Sequence, residues 1–489
     1  MLTGLDYAVL VLYLAGVLGF GLWVGGRQRS TTDYFLGGRD LPWWAILFSI
    51  VATETSTLTV IGVPAVAYGG SLLFLQLTFG FLLGRIVVAA VLLPRYFEGE
   101  LSTAYAFLGN RFGDGMRATA SLTFLVTRLL ADGVRLFATA IPLKVIAAGA
   151  GLDVSYAVII VGIGVVTMAY TFVGGLRAVV WMDVVQMAIY VGGAVFALVL
   201  LLGQLPADWW STAAAAGKTN IVDLGLDLSF GEWISTPYTL VVAVLGGAAF
   251  SAASHGTDQL VVQRLLACRS LQEGQRALVG SGIAVIVQFA LFLLVGLALW
   301  SYYGGAELSA LGLERGDEVF PKFIVEEMPP GVAGLLLAGI VAAAMSTLSS
   351  SLNALASSTV FDLWERLGRR PLDAAASLRL SRWATVGWGV VLMGFAMLFR
   401  SLTNPVVELG LGIASFTYGG LLGAFVLGLA SGRARQKEAV IAYMITLTAL
   451  AFLVTSGLLA WPLYTAVGAA LTVGIGTALA RVNRAKSTQ

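Results

Sequence analysis

The 489-residue chain is 58% hydrophobic yet only 11% charged, with a mean hydropathy of +0.88, where soluble domains carry about 25% charged residues. Its net charge of +2 suggests no nucleic-acid partner, its one Cys closes no internal disulfide, and its one His leaves no His-rich metal centre. Continuous apolar runs of about 20 residues exclude a β-barrel and predict an all-α polytopic membrane protein, solvated by a lipid bilayer.

About thirteen such runs follow one another, each long enough for a hydrocarbon core of roughly 30 Å. The first, near 5–25, has no basic n-region and no small-residue cleavage site, so it reads as a retained span, with 1–30 outside the core. The second, 43–68, is weak at its centre. Ala52 to Thr59 is crowded with Thr and Ser, which compete for backbone hydrogen bonds. Glu54 lies there, near mid-membrane, where a carboxylate is costly and marks function. The run 71–94 carries Gln76, and 117–147 holds Arg135 well inside. Arg135 reads two ways: a bidentate partner for a solute carboxylate, or an ion pair with Asp132 or Glu54.

Run 155–173 is followed by 182–203, where Asp183 by itself reads as a helix-start charge favoured by the macrodipole. The polar segment near 204–235 contains "AAAAGKT" (Ala213 to Thr219), which lacks the leading Gly of a phosphate-binding loop. Run 236–265 has a second weak point at Gly246-Gly247 and "SAASHGTDQ" (Ser251 to Gln259). Asp258 and Arg264 within it read as structural or gating charges. After 276–301 comes a polar segment near 302–330, expected to be a loop with short helical pieces. The run 331–362 then concentrates serine. At 100° per residue, Ala343, Ser346, Thr347, Ser350, Ala354 and Ser357 share one stripe, opposite Leu348, Leu352 and Leu355. Close packing of small residues and ligation of an alkali ion by neutral hydroxyls both fit that stripe. Runs 380–400, 404–430, 438–457 and 460–481 complete the chain.

The two weak runs are five apart. That is the spacing of two inverted five-helix repeats whose first helix is broken at the substrate site, here 43–203 and 236–430, followed by two spans and a tail over 438–489. Most of the 29 Lys and Arg fall in alternate loops, among them Arg117, Arg264, Arg269, Arg366, Arg369, Arg370, Arg433, Arg435 and Lys437. The positive-inside rule then places the N-terminus outside and the C-terminus in the cytoplasm, in the plasma (inner) membrane. No repeated filter loop speaks for a channel. His255 and Cys268 have no evident partner for enzyme chemistry, and no obligate protein partner is evident. A transporter-like sensor or scaffold is the rival to a coupled transporter.

Four stretches stand in order: "DYFLGGRDLPWW" (Asp33 to Trp44), "GGLRAVVWMDVVQ" (Gly174 to Gln186), "GTDQLVVQRLLA" (Gly256 to Ala267) and "AAMSTLSSSLN" (Ala343 to Asn353). At these residues the chain resembles the sodium/solute symporter family, which includes carriers of glucose, proline, sialic acid, iodide and water-soluble vitamins. The resemblance implies a LeuT-like core over spans two to eleven and uptake coupled to sodium ions. It puts the family's common sodium site on Ala52, Thr55, Ala343, Ser346 and Thr347, and a second on Asp183, Ser346, Ser349 and Ser350. The sugar-carrying pattern breaks at Ser254, at Glu54 and Thr59, and at "GIAVIVQF" (Gly282 to Phe289), which has no basic residue. The expected solute is therefore a small polar organic molecule, leaning to a carboxylate or zwitterion, with a sugar or polyol as the alternative. Its candidate contacts are Glu54, Thr59, Gln76, Arg135, Ser254 and Gln259, with Glu54 and Arg135 neutralising each other when no solute is bound.

Overall fold

The computed structural model describes residues 2–26, 28–99, 101–149, 151–365, 373–398 and 406–487. The loop arginines Arg366, Arg369 and Arg370 lie outside these. Helices occupy every apolar run. They are α1 (Gly4–Val24), α2 (Trp43–Glu54), α3 (Thr57–Gly69), α4 (Leu75–Glu98), α5 (Ala104–Phe112), α6 (Asp114–Gly149), α7 (Tyr156–Gln204) and α8 (Leu240–Gly256). They continue as α9 (Gln259–Leu265), α10 (Leu271–Tyr302), α11 (Val332–Ser358), α12 (Ala374–Ala396), α13 (Val406–Ala430), α14 (Gln436–Ser456) and α15 (Leu463–Ser487). The segment near 302–330 holds the expected short pieces: two 3-10 turns, Leu308–Leu311 and Gly316–Glu318, then a helix over Val319–Glu327.

By length, apolarity and charge, 8 helices among the described residues can cross a membrane, or 9 if α2 and α3 form one bent span. The expected count of about thirteen is not reached by that measure, for two physical reasons. Charges sit within helices as well as between them: α6 alone carries Arg117, Arg128, Asp132 and Arg135. The runs 155–173 and 182–203 also share one helix of 49 residues, α7.

Helix α7 changes direction at Gly175, whose φ of 55° and ψ of −155° few L-residues adopt. A Cβ there would also lie 2.5 Å from the Tyr34 carbonyl oxygen. Gly175→Ala is accordingly expected to lower stability by about 1–3 kcal/mol, read as a lower melting temperature of the detergent-solubilised protein. Gly84 has a different task. Its missing side chain lets α4 touch the α8 backbone, since a Cβ would sit 2.3 Å from the Ala248 oxygen.

The serine helix is at the centre. Of the most apolar 18-residue window, 89% is buried in the span containing α11 against 11% in α1, so α11 faces protein almost all round. It runs on into a π-helical turn over Thr359–Trp364. There Asp362 accepts from Arg117 Nε at 2.7 Å and from Ser358 Oγ at 3.0 Å, so Arg117 is a buried structural charge and not the loop charge expected. One extended contact ties the amino-terminal segment to the loop after α9: Leu41 N–H donates to Ala267 O at 3.1 Å, beside the buried Cys268.

Candidate functional site: a broken helix against the serine helix

Local chemistry breaks the second span. Thr53 Oγ1 donates to Ser49 O at 2.7 Å and Thr55 Oγ1 to Val51 O at 2.8 Å, side-chain bonds that compete with the helical ladder. Thr55 and Ser56 are extended, with ψ of 96° and 175°. Helix α3 therefore restarts at 63° to α2, and the last carbonyls of α2 lose their helical donors. The second weak point breaks as well. Thr257 (φ −129°) and Asp258 (ψ 125°) separate α8 from α9, and Asp258 Oδ1 caps α9 by accepting from Leu260 N–H at 2.9 Å.

Helix α11 lies against the open end of α2. Thr347 Oγ1 is 3.2 Å from Ala343 O and 3.5 Å from Thr53 O, and Ala52 and Thr55 belong to the same unwinding turn. Neutral carbonyl and hydroxyl oxygens are hard ligands, a donor set that fits an alkali cation.

Asp183 stands beside this group. It lies about two turns beyond Gly175 and is fully buried, so the helix-start reading fails. Its Oδ1 accepts from Ser346 Oγ at 2.6 Å. Its Oδ2 accepts from Ser49 Oγ and, at 3.2 Å, from Arg264 Nη2. Ser349 and Ser350 bond back to Ser346 O at 3.0 and 2.7 Å, and Thr53 Oγ1 and Ser350 Oγ are 3.1 Å apart. Arg264 is 1% exposed. It is not one of the loop charges expected, because α9 carries it inward.

A cavity of about 80 Å³ opens beside the break, lined by Thr53, Glu54, Ser56, Thr59, Arg128, Arg135, Ser254, His255, Asp258 and Tyr418. Its other wall is aromatic: Phe74 stacks on Phe289 with centroids 5.6 Å apart, and Phe250 lies 5.8 Å from Phe81 and 5.4 Å from Tyr418. A larger cavity of about 330 Å³ lies between α3, α6 and the Gly316–Glu327 region. Two charged pairs already close on themselves there, Lys322 with Glu326 at 2.6 Å and Arg315 with Asp317 at 3.1 Å. The smaller cavity is the chemically distinctive one.

Four of the six expected solute contacts (Glu54, Thr59, Arg135, Ser254) line that cavity. Two do not. Gln76 donates to Tyr238 O at 2.8 Å and accepts from Asp223 N–H at 3.3 Å, anchoring the segment before α8. Gln259 accepts from Ala104 N–H at 2.8 Å and donates to Ser357 Oγ at 3.2 Å, joining α5 to α11. Nor do Glu54 and Arg135 neutralise each other. Glu54 pairs with Arg85, whose Nη1 donates to Ser281 Oγ at 2.8 Å. Arg135 pairs with Asp132 at 3.2 Å, and among the described residues its buried Nε has no partner.

Sequence reasoning left Arg85, Arg128, Tyr418 and the phenylalanine wall unassigned. Arg128 Nη2 donates to Tyr418 OH at 2.6 Å and pairs with Asp258 at 3.2 Å, a buried bridge from α6 to the second break. The signal for the arginines was present, since a guanidinium inside a span needs an acid there.

The model of the sodium:solute symporter family matches residues 34–446. Over 96% of this chain and 92% of its partner, the sequence is 28% identical to a sodium/sialic acid symporter of Aliivibrio fischeri. It is 32% identical to the human sodium/iodide cotransporter over 87% of this chain and 65% of that protein. Among solved structures it matches the substrate-bound, outward-open state of a Na+-coupled sialic acid symporter with a novel Na+ site. That match has a TM-score of 0.87 and 27% identity over 98% of each chain.

Proposed function

This chain belongs to the sodium:solute symporter family, and from that premise we propose that it imports a small organic anion together with sodium by alternating access. The scaffold would be a LeuT-like pair of inverted repeats, 43–203 and 236–430, within about thirteen spans. The 1–30 segment precedes the repeats and 438–489 follows them. The N-terminus would face outward and the C-terminus the cytoplasm. The first sodium ion would bind at Ala52, Thr55, Ala343, Ser346 and Thr347, and a second at Asp183, Ser346, Ser349 and Ser350.

The observation that carries the solute class is Arg135. It lines the cavity with Asp132 as its one carboxylate partner and is 16% exposed, whereas the buried Arg128 has Asp258, Asp132 and Tyr418 and the buried Arg85 has Glu54 and Ser281. A solute carboxylate would take Arg135, and its apolar body would rest on the phenylalanine wall. The sialic acid carried by the relatives is such an acid, and the hydroxyls of Thr59 and Ser254 would meet its polar groups.

Proteoliposomes test this. Sialic acid uptake is expected to be saturable, lost when choline replaces sodium, and outcompeted neither by glucose nor by iodide. Two sodium ions with one monoanion move a single net charge, about 2.3 kcal/mol per 100 mV, roughly a 40-fold accumulation. Electroneutral uptake would remove the second ion site. Preferential uptake of iodide would remove the organic anion. Thr347→Ala deletes one hydroxyl ligand of the first site only. The expected result is a sodium half-saturation raised about 5- to 10-fold, from a loss of roughly 1–1.5 kcal/mol, with maximal uptake largely retained at high sodium.

A further inference from the structure

Arg264 makes more contacts than a structural charge requires. Its Nη2 donates to Asp183 Oδ2 at 3.2 Å and to Ser350 Oγ, and its Nε donates to Ser49 Oγ at 2.8 Å. Its Nη1 bonds to Leu260 O of its own segment at 2.7 Å. Two of the four residues proposed for the second sodium ion, Asp183 and Ser350, are thus already bound by a cation. A third, Ser346, gives its proton to the other Asp183 oxygen at 2.6 Å.

We propose that the Arg264 guanidinium is the resident occupant of the second ion site, and that sodium reaches Asp183 by displacing it. The inference rests on the second-site reading above. Charge decides the direction. Asp183 and Arg264 together are neutral, and adding Na+ to the intact pair would leave a net positive charge where both side chains are at most 1% exposed. Exchange of one monovalent cation for another keeps the charge constant. The small ion also suits the oxygens it inherits, because Ser346, Ser350 and Ser49 hydroxyls can all turn a lone pair inward once the guanidinium leaves.

Two consequences follow. Sodium affinity at this site is an apparent one, weakened by the fraction of time the pair is closed; a pair closed nine-tenths of the time weakens it about tenfold. Occupancy is also coupled to the second broken span, because Arg264 rides on α9, directly after the Thr257–Asp258 break. A sodium ion at Asp183 therefore releases the tether between that segment and α7.

The test uses the purified full-length chain in detergent, titrated with NaCl against choline chloride at constant ionic strength, following melting temperature and tryptophan fluorescence. Arg264→Gln is expected to be less stable without sodium and to bind sodium at least about tenfold more tightly than the parent. The gain should vanish in Asp183→Asn/Arg264→Gln. Arg264→Lys, which keeps the charge without the planar fork, should fall between parent and Gln, and it carries the comparison if the Gln variant does not fold. Suppose Asp183→Asn weakens sodium binding while Arg264→Gln and Arg264→Lys leave it unchanged or weaken it too. The second site then stands, and Arg264 supports it and does not compete for it, which overturns the proposal. Sodium titrations indifferent to both positions overturn the proposal together with the site on which it rests.

Discussion

Glu54→Gln should destabilise the protein by about 3–5 kcal/mol, the cost of leaving a buried charge without its partner. Arg85 is 0% exposed, and Glu54 is its only carboxylate among the described residues. Its other hydrogen bond is to the Ser281 hydroxyl, and among the described residues its Nε has no partner. An amide at position 54 keeps the shape and can still accept one hydrogen bond, but it supplies no charge. The double change Glu54→Gln/Arg85→Met should recover most of the loss, because an apolar side chain needs no counter-charge. Melting temperatures of the three proteins in detergent decide the matter. A single variant as stable as the parent would mean that Arg85 reaches another acid, and the recovery in the double variant would then be absent.

Arg135→Gln should act on the solute and spare the fold. Asp132 would keep its bond from Ser351 Oγ at 2.6 Å and its contact with Arg128 at 3.7 Å, so removing Arg135 leaves no carboxylate stranded. A charged hydrogen-bonding contact is worth about 1.5–3 kcal/mol, which is roughly a 10- to 150-fold loss in affinity for an anionic solute. The sodium-induced rise in melting temperature should remain, because among the described residues Arg135 makes no hydrogen bond or ion pair with a proposed ion ligand. Measured on proteoliposomes with sialic acid, the loss should appear in the half-saturation concentration. Unchanged uptake of an anion by Arg135→Gln would make Arg135 a structural partner of Asp132 and nothing more.

Both helix breaks were legible in the sequence because their causes are local. Thr53 and Thr55 of the second span capture carbonyls four residues back, and Asp258 caps the helix that follows it. Partner choice was legible only within one helix, where Asp132 was one of the two acids expected for Arg135. Arginines inside runs, among them Arg85, Arg128 and Arg135, demand acids at the same depth, and Glu54, Asp132 and Asp258 were available in the sequence. Which acid an arginine meets across helices depends on how segments far apart in the chain are laid together: Arg128 on α6 and Asp258 before α9 are brought to 3.2 Å. Gln76 and Gln259 misled for a related reason. A polar side chain in an apolar run was read as facing a cavity, and both instead satisfy backbone groups of neighbouring segments. The phenylalanine wall carried no signal at all, since one more aromatic in a chain with 25 Phe distinguishes nothing.

Cys268 has a practical consequence for watching these helices move. It is the chain's single cysteine, 1% exposed, beside the extended contact with Leu41. Burial pushes its thiol up to about 12, so at neutral pH it offers almost no thiolate to maleimide or nitroxide reagents. New cysteines at Gly69, the exposed last residue of α3, and at the exposed Arg269 after α9 can therefore be spin-labelled in the otherwise native sequence, with negligible background. Distances across the two breaks would then be measurable with and without sodium in the unaltered background.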